Sequence, residues 1–227
     1  MKVMILAAGR GERMGVLTDE HPKPLLQVNG CSLIEHLLQQ LIQCGFKEFV
    51  VNVAYRGEQI KYVLGTGERW RVDVVYSDEA ETALETGGGI YKALPLLGDT
   101  HFAVVNADIW TDFPFDTLRD KTERKAHLVL IDNPSYNIGG DFLVSVEGYA
   151  LNSNNDAGEK GESSKTFSGI GVYHPSFFVD EKPGAFPLAP IIRRSIAAEQ
   201  VTAEFYQGLW VDIGTPERLA AVQTSNQ

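Results

Sequence analysis

Residues 2–8 (KVMILAA) are an unbroken aliphatic and β-branched run that passes directly into the glycines of GRGERM at 9–14. A short apolar run stopped by glycine predicts a strand buried on both faces. Residues 32–44 carry apolar side chains at 33, 34, 37, 38, 41 and 42, the spacing of a helix, and Gly45 follows as its stop. Further strands are expected at 48–53, 72–76, 101–107, 126–132 and 142–146, with a short one at 210–212. Helices are expected at 58–64, 89–97, 188–199 and 215–223. Strands alternating with helices predict an α/β fold: a single-domain, Rossmann-like, mixed but mostly parallel sheet flanked by helices over 1–227. A chain of 227 residues can bury one large core unaided. The polar segment 152–164 (NSNNDAGEKGESS) reads as a surface loop. In open sheets of this class, ligands bind beyond the carboxyl ends of the strands. That rule gathers 9–13, 108–112 and the Gly87 region into one expected pocket.

Hydrophobic residues make up 44% of the chain and charged residues 22%, which excludes disorder driven by charge. The net charge of −10 argues against non-specific nucleic-acid binding, where Lys and Arg must neutralise phosphates. One locally positive pocket remains compatible with it. No apolar run reaches the roughly 18 residues of a membrane span. The run at 3–8 is too short for a signal peptide. Cys31 and Cys44 sit in no CxxC or Cys/His pattern, so two reduced thiols in a cytoplasmic protein are expected.

Gly9 and Gly11 occupy the first two positions of the dinucleotide fingerprint GxGxxG. Met14 takes the third, where close helix–strand packing calls for glycine. No Gly-Lys-Ser/Thr follows, so a P-loop also fails. Two readings stay open: a loop whose backbone N–H groups approach phosphate oxygens beside Arg13, or a glycine turn with a solvated arginine. Lys23 stands between Pro22 and Pro24, which stiffen the backbone around it. It reads as a lysine held toward phosphates or as a surface lysine in a turn. Asp108 follows the apolar run 101–107, and Asp212 closes WVD before IGTP. Each suits Mg²⁺, which takes one or two carboxylates plus phosphates and water, and each suits a turn or helix cap. Asp112 reads as a turn residue. His21, His36, His101, His127 and His174 are scattered, and neither GxSxG nor HExxH occurs.

Read as a whole, LAAGRGERM…LTDEHPKPLLQVNG…LIEHLLQQL resembles the sugar-nucleotide pyrophosphorylases, nucleotidyltransferases acting on sugar 1-phosphates. Their pattern is LAAGxGxRMxPLT…PKPLxPVxG followed by PLIE. Val16 replaces its first proline and Cys31-Ser32 its small residue and proline, so no charged group is lost. The resemblance implies the nucleotide-diphospho-sugar transferase fold and a Mg²⁺ held by Asp108 and Asp212, with Arg13 and Lys23 as catalytic residues. It implies nucleotide contacts from Ala8, Gly9, Gly11, Glu12, Arg13, Lys23, Glu81, Thr86, Gly87 and Asn106. Residues 81–89 (ETALETGGG) resemble the base-recognition loop of that family, and equally suit the glycine-rich start of a helix. LETGGG with IYKALPLLGD, TFSGIGV and FPLAPIIR is similar to the N-acetylmuramate α-1-phosphate uridylyltransferases of cell-wall recycling. That similarity covers nearly the whole chain and implies UTP and a sugar 1-phosphate as substrates, with no nucleic-acid or membrane partner. Gly140, Asp141, Ser168 and Gly169 are the candidates for the sugar phosphate, with an Asx turn as the other reading of Asp141. Alternatives are a mannose-1-phosphate guanylyltransferase, a glucose-1-phosphate thymidylyl- or uridylyltransferase, a cytidylyltransferase, and a non-catalytic nucleotide sensor.

Overall fold

In the computed structural model, which describes residues 1–79, 83–153 and 164–224, β1 (Val3–Leu6) is buried on both faces. Val3 and Ile5 enter one apolar cluster and Met4 the other, the period-2 alternation of a strand with a layer on each side. The glycine loop turns into irregular 3₁₀ structure, and a two-residue hairpin, β2 (Gln27–Val28) with β3 (Cys31–Ser32), leads to α1 (Leu33–Gln43). Ser32 caps α1: its hydroxyl accepts from the Glu35 N–H, while Glu35 accepts from the Ser32 N–H, a reciprocal capping box. β4 (Glu48–Val53), α2 (Gly57–Leu64) and β5 (Asp73–Asp78) complete one side of the sheet. α3 (Glu85–Leu97) and β6 (Phe102–Asn106) return to its centre.

Beyond β6 lie β7 (Ile109–Thr111), β8 (Ala126–Ile131), β9 (Phe142–Val144) and β10 (Ala150–Asn152). β11 (Thr166–Tyr173), α4 (Ala189–Ala197), β12 (Val201–Phe205), β13 (Trp210–Asp212) and α5 (Pro216–Thr224) follow. The main sheet has seven strands in the order β12-β8-β11-β6-β1-β4-β5. β11 runs against both its neighbours, β6 and β8, while the other pairs are parallel. α1 and α2 cover one face with Leu37, Leu38, Leu41 and Ile60; α3 and α4 cover the other with Ile90, Ala93, Ile191 and Ile192. Among the described residues, no helix is long and apolar enough to cross a membrane. Cys31 and Cys44 are free thiols.

Four sequence expectations need correction. The helix expected from Gly89 begins at Glu85, so Gly87, Gly88 and Gly89 lie buried inside it. Their poor helix propensity yields to packing, because larger side chains would strike neighbouring atoms there. The strand expected at 142–146 is shorter and pairs with β10 in a separate hairpin. The long β11 was not expected as a strand: Gly169 and Gly171 interrupt its apolar pattern, and its register with β8 shifts between Phe167 and Gly171. β12 also went unforeseen, although Val201, Ala203 and Phe205 alternate with Thr202 and Glu204 over its five residues, the period of a strand. Of the segment 152–164, residues 154–163 lie outside the described residues.

Candidate active site

The carboxyl ends of β1 and β6 lie side by side, in register from Val3 opposite Ala103 to Leu6 opposite Asn106. Each therefore delivers its following loop to one crevice. From β1 comes the glycine loop. Gly11 has φ of 72°, and a Cβ there would sit 2.8 Å from the Cβ of Lys23. Glycine is thus required for the loop to cross the Lys23 side chain. Thr18 ties the crossing by donating its hydroxyl to the Gly11 carbonyl at 3.2 Å. Pro22 is extended and Pro24 lies within a 3₁₀ turn, Lys23–Leu25, which fixes the lysine backbone.

From β6 comes Asp108. β7 then pairs antiparallel with β13, with Asp212 opposite Ile109, and the Ile213 N–H donates to the Asp108 carbonyl at 2.8 Å. This ribbon brings two aspartates distant in sequence to one place. The Lys23 ammonium lies between them, hydrogen-bonded to Asp108 Oδ2 and 3.8 Å from Asp212 Oδ1. The lysine side chain is only 9% exposed and the Asp212 side chain 18%, so the cluster is weakly screened by solvent. Arg218, on the first turns of α5, donates Nη1 to Asp212 Oδ2 at 2.7 Å and lies 4.3 Å from the centre of the Tyr136 ring. Burial and the Asp212 carboxylate push the Tyr136 phenol above its ordinary pKa. Asp212 caps no helix here: the Thr215 hydroxyl accepts from the Arg218 N–H.

Three adjoining cavities form the crevice. The first, about 400 Å³, is lined by Gly9, Gly11, Glu12, Arg13, Lys23 and Asp108, together with Arg10 and Gly214. The second, about 260 Å³, shares Gly9 and Asp108 with the first and adds Ala8, Asn52, Glu79, Thr86 and Asn106. The third, about 300 Å³, shares Thr86 and Asn106 with the second and adds Asp141, Phe142, Phe167 and Arg193. None of the five histidines lines these cavities.

Most of the expected site residues are thus gathered in one crevice, and the remainder have other surroundings. Gly87 packs inside α3, where a Cβ would lie 2.6 Å from the Phe186 ring. Ser168 is buried; its hydroxyl donates to the Val129 carbonyl at 2.7 Å and accepts from the Ile170 N–H. Gly169, with φ of 80°, lets Asn106 approach closely. Gly140, with φ of 62°, packs against Ser164 and Asn133. Asp112, outside the crevice, accepts a hydrogen bond from the Tyr206 hydroxyl. Glu81 lies outside the described residues.

Sequence reasoning missed Asn52, Glu79, Arg193 and Arg218. Asn52 accepts from the Ala7 N–H at 2.8 Å and donates to Glu79 at 2.6 Å, and Glu79 accepts from the Leu84 N–H at 2.8 Å. This buried network joins the glycine loop to the start of α3. The one available signal was a polar Asn inside the apolar run 48–53.

A glycine loop at a strand end, with Arg13, Lys23 and two converging carboxylates, has the chemistry that phosphate groups call for. The chain belongs to the nucleotidyl transferase family, whose profile matches residues 2–137. Among its relatives is the N-acetylmuramate alpha-1-phosphate uridylyltransferase of Neisseria meningitidis, 44% identical over 98% of this chain and 97% of that one. The Caulobacter vibrioides protein of the same name is 34% identical over 96% of this chain and 94% of its own. HddC from Yersinia pseudotuberculosis, solved with GMP-PN, shares the fold with a TM-score of 0.79 at 18% identity, covering 100% of this chain and 99% of that one.

Proposed function

We propose that the protein transfers UMP from UTP to N-acetylmuramic acid 1-phosphate, giving UDP-N-acetylmuramic acid and pyrophosphate. The choice of sugar and base rests on the two bacterial relatives that carry this activity in their names and align along nearly their whole length. The observation that carries nucleotidyl transfer itself is the Asp108–Lys23–Asp212 cluster at the mouth of the glycine loop. A phosphate oxygen of the sugar phosphate forms a bond to the α-phosphorus of UTP. The bond to the bridging oxygen breaks, and pyrophosphate leaves with that electron pair. The attacking phosphate is already ionised near neutral pH and needs no general base, in keeping with a crevice free of histidine.

The difficulty is repulsion between two polyanions. Arg13 and Lys23 offset it by stabilising charge that gathers on the leaving pyrophosphate. Backbone N–H groups of Gly9 and Gly11 approach the phosphates, and Thr86, Asn106 and Asp141 orient the base and sugar. Asp108 and Asp212 suit a divalent ion, since one cationic group already lies between their carboxylates. Among the described residues no group of three His, Cys, Asp or Glu gathers, and two carboxylates plus phosphate oxygens are a usual donor set for Mg²⁺. A Mg²⁺ held by Asp108 and Asp212 would supply positive charge to offset that of the phosphates. In this reading the enzyme works in the cytoplasm, recycling cell-wall sugar.

The test is pyrophosphate release measured with four nucleoside triphosphates crossed with the 1-phosphates of N-acetylmuramic acid, N-acetylglucosamine, mannose and glucose, with and without Mg²⁺. The pair UTP and N-acetylmuramic acid 1-phosphate with Mg²⁺ is expected to be fastest. A preference for GTP with mannose 1-phosphate would replace this reading.

A further inference from the structure

Among the described residues, the third cavity carries two charged groups on its wall, Asp141 and Arg193. The rest of the lining is largely apolar: Phe142 and Phe167 on one side, Leu188 and Ile192 beside α4 on the other. Asp141 is engaged, since the Phe167 N–H donates to its Oδ2 at 2.8 Å. Arg193 lies with its guanidinium carbon 5.1 Å from the centre of the Phe142 ring and forms no ion pair with a described residue. Its neighbour Arg194 is committed to Glu181. Among the described residues, neither Arg13 in the first cavity nor Arg193 in this one has a carboxylate partner.

A neutral hexose 1-phosphate would bring hydroxyl groups to this far cavity and no anion. It would leave the exposed Arg193 guanidinium to its water and gain nothing from the charge. A sugar with an acidic substituent would compensate it, because a carboxylate matches the fork of donors on a guanidinium bidentately. Apolar parts of the same substituent would meet Phe142, Phe167 and Ile192. We propose that Arg193 is the recognition group for a carboxylate carried by the sugar substituent, here the lactyl carboxylate of N-acetylmuramic acid 1-phosphate. This inference rests on the substrate proposed above. It makes Arg193 the residue by which the enzyme separates acidic from neutral amino-sugar phosphates.

The experiment is a two-by-two kinetic cycle of wild type and Arg193→Ala against N-acetylmuramic acid 1-phosphate and its lactyl carboxamide, a neutral analogue of nearly the same shape. Arg193→Ala should raise KM for the acid about 10- to 100-fold, the scale of a lost charge-assisted pair, with kcat and the KM for UTP near wild type. Amidation should do the same to the wild type and add little in the variant. Arg193→Lys should recover part of the loss. Equal losses for acid and amide would assign Arg193 a purely structural role and overturn the inference, as would no loss at all. A wild-type enzyme that turns over the acid yet ignores the substitution sinks the inference alone. A wild type with no activity toward the acid sinks both it and the substrate reading.

Discussion

Lys23 is a buried ammonium held between two carboxylates, and its surroundings explain why a lysine must stand there. Its stem fills the space under Gly11, and its head balances Asp108 and Asp212 in a poorly screened site. Lys23→Ala should lower kcat about 100- to 1000-fold, the loss typical of one preorganised charge-stabilising donor. Pyrophosphate release at saturating substrates measures it, with far-UV circular dichroism checking the fold. Activity within a few-fold of wild type would remove Lys23 from the chemistry. At this scale the sequence was readable wherever a residue type and its local frame suffice. PKP marked Lys23, and an aspartate after an apolar run marked Asp108. Asn52 escaped because its partner Glu79 is 27 residues away, just past β5, and Arg218 because only the turn after β13 brings it back onto Asp212, six residues earlier.

α3 carries three consecutive buried glycines after Glu85 and Thr86, and each has a different reason to lack a side chain. Gly87 faces the Phe186 ring, Gly88 the Gly184 carbonyl, and Gly89 the Glu79 carboxylate. Gly88→Ala gains helix propensity worth about 1 kcal/mol. Its Cβ would meet the Gly184 carbonyl oxygen at 2.2 Å, however, and backbone cannot swing aside as a side chain does. The clash should win, with a net destabilisation of about 1–3 kcal/mol. It would be read as a lower urea midpoint at unchanged m-value. Gly9→Ala is the matched control: nothing lies within 4 Å of its Cβ, so its stability should hold within about 0.5 kcal/mol. Elements with a clean apolar period, such as β4 and α1, were legible within a residue or two. α3 and β11 were not, because their glycines are explained only by what packs against them.

Across the whole molecule, a net charge of −10 coexists with a crevice whose phosphate end holds Arg10, Arg13 and Lys23. In that cavity the three cations outnumber the carboxylates of Glu12 and Asp108 by one, a local excess of positive charge on an acidic chain. Ligand stabilisation should report this directly. At free Mg²⁺–UTP near 100 times its Kd, the folded state should gain about 2.7 kcal/mol. For a chain of this size that is a rise in Tm of about 5–10 °C by scanning calorimetry. UTP in the presence of EDTA should give a clearly smaller rise, and an equal rise would remove the metal from nucleotide binding. The α/β class and the crevice at the carboxyl strand ends could be foreseen from alternation alone. The reversed β11 and the separate ribbons could not, because strand order is decided by long-range pairing.

The β7–β13 ribbon has a consequence for biosynthesis. Asp108 leaves the ribosome well before Asp212, and the second carboxylate can join the first only after β13 has emerged and zipped onto β7. A nascent or prematurely terminated polypeptide that lacks that late strand carries the glycine loop and Lys23 but only half of the carboxylate pair.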